Sequence, residues 1–99
     1  MALRTLFLPT MSLKIVPSSV YKTAQDCKDK GLPYALIILL DATLYVETSA
    51  KTAVVFERLL KDWTADTLPT LYRSNVRTFL IVKGEVREVT LSRIRTILK

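Results

Sequence analysis

An aspartate stands at the end of a long apolar run, where it could bind a metal ion or form a turn. Asp41 follows the run ALIILL of residues 35–40. A carboxylate at the end of a buried strand can hold Mg²⁺ or Mn²⁺ when further carboxylates converge on it. The acids that follow include Glu47, Asp62 and Asp66. Aspartate is also a common turn residue, because its side chain bonds nearby backbone and it tolerates a left-handed conformation. We expect Asp41 to lie in a turn or at a sheet edge.

The segment IILLDAT, residues 37–43, resembles the opening of several metal-dependent nucleases, the PIN domain among them. The resemblance implies a hydrolase in which Asp41 acts with Glu47 or Asp66 on a divalent metal ion. It covers seven residues, and the segment begins too late in the chain to leave room for that whole fold. A metal-dependent nuclease is therefore the alternative hypothesis.

Composition excludes several other chemistries. The chain has no histidine, which excludes histidine-dependent acid–base catalysis. Its single cysteine, Cys27, excludes a disulfide within the chain and a cysteine-based zinc site. The only glycines are Gly31 and Gly84, so the chain has no glycine-rich phosphate-binding loop. We expect no catalytic centre, no cofactor and no bound metal ion.

Positive charge is the remaining feature that can recognise a ligand. The net charge is +6, and residues 67–99 carry seven basic and two acidic side chains. Arginine forks suit phosphates, and a tyrosine ring can stack on a base. The residues expected to bind nucleic acid or another partner are Tyr72, Arg73, Arg77, Arg87, Arg93 and Arg95, with Lys83 and Lys99 beside them. Glu85 and Glu88 can neutralise part of this charge, and a cationic surface that serves solubility alone has the same composition.

Apolar periodicity predicts the elements of the first third of the chain. Residues 3–8 and 11–16 are expected to form two strands, the second with strict alternation of apolar and polar residues. A serine after Pro17 is expected to cap a helix that ends at Gly31, because glycine accepts the left-handed conformation of a helix end. The buried stripe expected on this helix is Val20, Ala24 and Cys27.

Residues 35–47 have the composition of a strand, and the sequence leaves open whether Asp41 divides it in two. A second helix is expected after a cap at Thr48 or Ser49, followed by a long connection over residues 64–75. Such long connections are often functional.

The last third predicts a hairpin with Gly84 in its turn, and a short final helix. The expected fold over residues 1–99 is a single α+β domain with the order β-β-α-β-α-β-β-α. In this two-layer arrangement the helices pack on a face of an antiparallel or mixed sheet. Hairpins near both termini leave sheet edges that a second copy could pair, which makes a homodimer a further hypothesis.

The longest apolar run, residues 35–40, is far shorter than the roughly 20 residues of a membrane span. Pro9 ends the apolar run at the N-terminus, so we expect neither a signal peptide nor a membrane partner.

Over its full length, the chain resembles the small proteins of filamentous viruses that infect acidothermophilic archaea, the lipothrixviruses and rudiviruses. The resemblance rests on residues 34–63, YALIILLDATLYVETSAKTAVVFERLLKDW, rather than on a catalytic motif. It implies a viral product in the host cytoplasm, near a double-stranded DNA genome, and provides no functional residue to carry over. Together these observations favour a small, non-enzymatic viral binding protein. It would contact a host or viral protein, or nucleic acid, through its basic C-terminal third.

Composition also predicts high thermal stability. Gln25 and Asn75 are the only side-chain amides, and 24% of the residues are charged, as in many proteins that survive heat. We expect differential scanning calorimetry to show unfolding well above the range of about 45–65 °C in which mesophilic domains melt. A transition at about 50 °C, ordinary for a mesophilic domain, would contradict this prediction and weaken the viral resemblance.

Overall fold

The structure is a computed structural model that describes residues 15–71 and 76–97, where the elements follow the order α-β-β-α-α-β-β-α. The helices are α1 Ser18–Asp29, α2 Ala53–Asp66, α3 Leu68–Leu71 and α4 Leu91–Ile97, and the strands are β1 Tyr34–Leu40, β2 Thr43–Ala50, β3 Arg77–Val82 and β4 Glu85–Val89. The strand predicted over residues 3–8 lies outside the described residues. So does the strand predicted over 11–16, except positions 15 and 16, which are not in a strand.

The four described strands form one antiparallel sheet in the order β2-β1-β3-β4. The central strands β1 and β3 are YALIILL and RTFLIV, and the middle of each is buried. Because successive side chains point to opposite faces, Leu36 and Ile38 face one side of the sheet while Ala35 and Ile37 face the other. The predicted α+β class is confirmed.

Helices cover both faces of this sheet, so the predicted two-layer arrangement is wrong. On one face, Val20 and Cys27 of α1 pack with Phe79. On the opposite face, Phe56 of α2 and Ile94 of α4 belong to a second cluster. Strands that read as continuous apolar runs must be covered on both sides, and β1 and β3 are such strands. The expected burial of Val20, Ala24 and Cys27 on α1 is confirmed.

Asp41 divides the predicted strand into the hairpin β1–β2. The φ angles of Asp41 and Ala42 are 49° and 67°, which gives two successive left-handed residues, as a two-residue type I′ turn requires. The expected position of Asp41 in a turn is confirmed, and the element order contains one more strand here than the sequence predicted.

The two ends of α1 differ in how well the sequence predicted them. The N-cap residue is Pro17 and no serine side chain caps the helix, which corrects that prediction. At the other end, the N–H groups of Leu32 and Gly31 donate to the carbonyl oxygens of Cys27 and Lys28, each at 2.9 Å. These two bonds and the φ of +81° at Gly31 form a Schellman motif, so the predicted helix end is confirmed.

Helix α2 begins later than predicted. Its N-cap is Thr52, whose hydroxyl oxygen accepts a hydrogen bond from the N–H of Val55 at 3.4 Å. The predicted caps, Thr48 and Ser49, belong to β2 instead. The connection predicted over residues 64–75 is largely helical where it is described, because it includes the end of α2 and all of α3.

A bulge in β2 turns Glu47 towards α2. The pairing of β1 with β2 shifts between Leu36 and Ile37, which leaves Glu47 as the extra residue. Bulges redirect a side chain in this way. The carboxylate of Glu47 accepts a hydrogen bond from Nε1 of Trp63 at 2.9 Å, in a part-buried position that ties the strand to the helix above it.

The bond between Glu47 and Trp63 should be measurable by a double-mutant cycle. We expect Glu47→Ala to lower the free energy of unfolding by about 1–3 kcal/mol, because it leaves the indole N–H without its partner. Urea unfolding of Glu47→Ala, Trp63→Phe and the double variant, followed by circular dichroism, measures the coupling energy. Strictly additive effects of the two changes would contradict the bond.

Candidate polyanion-binding site

The six binding residues predicted from the sequence are spread over several elements. Two of them, Tyr72 and Arg73, lie outside the described part of the chain. Arg95 belongs to α4, and its side chain is not described. Arg87 on β4 and Arg93 on α4 are exposed, and Nη2 of Arg87 lies 3.5 Å from Oε1 of Glu85. This surface pair is too exposed to hold Arg87 firmly.

Arg77, the sixth predicted binding residue, is engaged by the fold itself. Its Nε and Nη2 donate to the two carboxylate oxygens of Glu88, at 2.8 and 2.7 Å, and this bonding raises the pKa of Arg77. Its Nη1 donates to the carbonyl oxygen of Ile15 at 3.2 Å, and the guanidinium carbon lies 5.3 Å from the ring centroid of Phe79. Arg77 therefore joins β3, β4 and the chain before α1, and its donors already have partners.

The acids named in the nuclease alternative lie in unrelated places. Asp41 occupies the exposed β1–β2 turn, Glu47 is bonded to Trp63, and Asp66 is exposed at the end of α2. Throughout residues 15–71 and 76–97, no group of three or more metal-binding side chains could hold a metal ion. The described geometry gives no support to the nuclease alternative.

One end of the sheet brings together lysines from distant parts of the chain. The register of β1 and β3 pairs Ala35 with Ile81, so the start of β1 and the β3–β4 turn lie at the same end. The loop after α1 also reaches this end, because the N–H of Gly84 donates to the carbonyl oxygen of Pro33 at 3.0 Å. We call the three exposed lysines of these segments the lysine end: Lys28, Lys30 and Lys83.

Lys28 lies directly on the β3–β4 turn. Lys83 and Gly84 have φ angles of 53° and 84°, and form a tight turn with no side chain at Gly84. A Cβ at Gly84 would lie 2.9 Å from Cδ of Lys28 and 3.5 Å from its Nζ. The aliphatic stem of Lys28 thus packs on the turn while its ammonium group remains in solvent.

No carboxylate forms an ion pair with the lysine end within the described residues. The ion pairs in that part of the chain are Arg77–Glu88 and Arg87–Glu85. Asp29, the acid at the end of α1, accepts a hydrogen bond from Nε2 of Gln25 at 2.8 Å. A phosphate oxyanion that contacts several of these exposed lysines would be stabilised by their charge. We therefore take the lysine end as the candidate site for a polyanion.

Cys27 offers no nucleophile beside this site. Its side chain is buried under α1, and burial raises the pKa of the thiol. Because the thiolate is the reactive form, a raised pKa keeps the group unreactive. Cys27 serves as a small core residue.

Sequence reasoning missed Lys28 and Lys30 because it counted charge along the chain. The lysine end is assembled from residues that are more than fifty positions apart, and the net charge of a chain segment does not report such a cluster. One signal was present: each of the two glycines, Gly31 and Gly84, directly follows a lysine. Turns at these glycines place the neighbouring lysines at element ends.

Comparison of the chain with protein-family models, with curated proteins and with solved structures gives no match. Among the described residues, no helix has the length and apolar character needed to cross a membrane.

Substitution of the two glycines should reveal their left-handed backbone conformation. Gly31→Ala is expected to cost about 1–2 kcal/mol of unfolding free energy, because alanine is strained at its φ of +81° and nothing else lies within 4 Å. Gly84→Ala, at a φ of +84°, should cost a similar amount, because the Lys28 atoms that its methyl group meets belong to a flexible side chain that can move aside. Urea unfolding measures both values. Unchanged stability in either variant would contradict the left-handed conformation at that glycine.

Proposed function

We propose that the protein is a non-enzymatic binding protein that contacts the phosphate backbone of nucleic acid through its lysine end. The observation that carries this proposal is the position of the Lys28 side chain on the Lys83-Gly84 turn. This contact brings Lys28 to the turn that carries Lys83, and Lys30 lies at the same end of the sheet. Within the described residues no carboxylate is paired with them.

Lysine chemistry determines the kind of recognition to expect. A lysine ammonium is a compact point charge that suits phosphate oxygens, and contacts to phosphates position a protein without reading base sequence. The proposed binding is therefore independent of sequence and falls steeply as salt concentration rises. The exposed Arg87 and Arg93 would add contacts from a different part of the surface.

The setting of this activity rests on the resemblance of residues 34–63 to the small proteins of archaeal filamentous viruses. On that basis we propose viral double-stranded DNA in the host cytoplasm as the ligand. A host or viral protein as partner, the other hypothesis from the sequence, would have to carry acidic groups to match the lysine end.

Salt-dependent binding to a fluorescently labelled DNA duplex tests the proposal. The wild-type protein is compared with the double variant Lys28→Gln/Lys83→Gln by fluorescence anisotropy over a series of salt concentrations. Each lost phosphate contact lowers the slope of log Kobs against log salt by about 0.9, so the slope should fall by about 2. The loss should be the same for duplexes of unrelated sequence.

A matched control removes the same charge elsewhere. Lys22 on α1 and Lys61 on α2 are both exposed and lie away from the lysine end. We expect Lys22→Gln/Lys61→Gln to keep nearly the full slope. Equal losses in the two double variants, or a wild-type protein that does not bind duplex DNA, would contradict the proposal. If the slope fell only in the double variant Arg87→Gln/Arg93→Gln, the binding site would lie in the C-terminal third instead.

A further inference from the structure

The two edges of the described sheet are chemically unequal. Edge strand β4 is short, and three of its five residues are charged: Glu85, Arg87 and Glu88. Charged side chains and short length are the usual protection of an edge strand against pairing with another chain. Edge strand β2 has eight residues, and Glu47 is its only charged one. The bulge directs Glu47 to Trp63, so the charge of Glu47 does not prevent another strand from pairing with this edge.

The β2 edge also exposes apolar side chains on both faces of the sheet. Tyr45 and Val46 are each 45% exposed, although they lie in the middle of a strand. Helix α2 packs chiefly over β2, and Val54 in its first turn is 77% exposed. Exposed apolar residues along an unprotected strand edge are typical of an interaction surface.

We propose that β2 pairs with β2 of a second copy of this chain, antiparallel about a twofold axis near Tyr45. The two four-stranded sheets would then form one continuous sheet, and each copy would cover an edge of the other with which no strand of residues 15–71 and 76–97 pairs. An isologous contact of this kind needs a self-complementary surface. The inference rests on the sheet edge alone and does not depend on the proposed function.

Charge at the two ends of β2 favours a second copy as the occupant. Asp41 lies in the exposed turn just before β2, and Lys51 is exposed just after it. Antiparallel pairing brings the beginning of one strand to the end of the other. Asp41 of each copy therefore comes close to Lys51 of the other, and the opposite charges meet twice across the axis.

The alternation of side chains favours an axis at Tyr45. When Tyr45 stands opposite itself, Leu44 of one copy stands opposite Val46 of the other. Both of these residues lie on the α1 face, because Leu44 packs in the α1 cluster and Val46 pairs with the buried Ile37. In this register, side chains that stand opposite each other lie on the same face of the sheet. The two Tyr45 rings meet on the face opposite α1, and such an aromatic pair stabilises cross-strand contacts.

The dimer would keep its two α1 helices on one face, because a twofold axis between antiparallel strands stands perpendicular to the sheet. The two lysine ends would then lie at opposite ends of the continuous sheet. If the proposed function holds, a duplex long enough to span the dimer could contact both of them, and the avidity of the dimer would exceed that of a single site.

Sedimentation equilibrium of the wild-type protein and of two tyrosine variants tests the pairing. We expect the wild type to have the mass of two chains and Tyr45→Lys the mass of one, because two ammonium groups would meet at the axis. Tyr21→Lys is the matched control, since Tyr21 is 54% exposed on α1, away from β2, and should leave the dimer intact. A monomeric wild type would overturn the proposal, and so would a Tyr45→Lys variant that remains dimeric.

A second variant keeps the test decisive if Tyr45→Lys fails to fold. Under mild oxidation, Tyr45→Cys should form a disulfide between copies, because residues opposite each other at the axis have neighbouring Cβ atoms. Tyr21→Cys should remain uncrosslinked, and the buried Cys27 does not interfere. A dimer in which Tyr45→Cys does not crosslink would show that another surface pairs.

Variants can test DNA binding and dimerisation independently of each other. Lys28→Gln/Lys83→Gln should remain dimeric while its DNA binding weakens. Tyr45→Lys should be monomeric and still bind a duplex too short for two sites, with the salt slope of a single lysine end.

Discussion

Burial of the two central strands on both faces is the constraint on which the rest of the structure depends. Most side chains of β1 and β3 are apolar on either side, so each face must be covered by a helix. Helix α1 covers one face and α2 with α4 the other. A chain that crosses from α1 into β1 must turn at the end of the sheet. The Schellman motif at Gly31 makes that turn, and it leaves Lys28 beside the β3–β4 hairpin, with Lys30 at the same end of the sheet.

Local signals in the sequence predicted local structure well. The helix end at Gly31, the turn at Asp41, the hairpin at Gly84 and the buried side of α1 each depend on a few neighbouring residues. The position of Asp41 could be predicted because aspartate tolerates a positive φ, whereas the neighbouring Ala42, with a φ of 67°, has no such advantage. The layer arrangement depends on which face of the sheet each helix covers, and the spacing of apolar residues along the sequence does not determine that.

The candidate site could be predicted less well, because its members meet only in the folded chain. Arg77 resembles a phosphate ligand in the sequence, yet its donors bond Glu88 and Ile15 once β3 and β4 pair. Lys28 resembles an ordinary surface residue, yet it lies on a turn more than fifty positions away. Charge counted along the chain favours the C-terminal third, whereas the contact of Lys28 with the Lys83-Gly84 turn favours the lysine end.

NMR titration with a short DNA duplex tests most directly whether nucleic acid contacts this end of the sheet, as we propose. The only two glycines of the chain, Gly31 and Gly84, flank the lysine end, and glycine amides are readily recognised in a nitrogen–proton spectrum. We expect the amide signals of both glycines to shift progressively as duplex is added. Unchanged glycine signals, with shifts confined to α4 and the residues before β3, would contradict it.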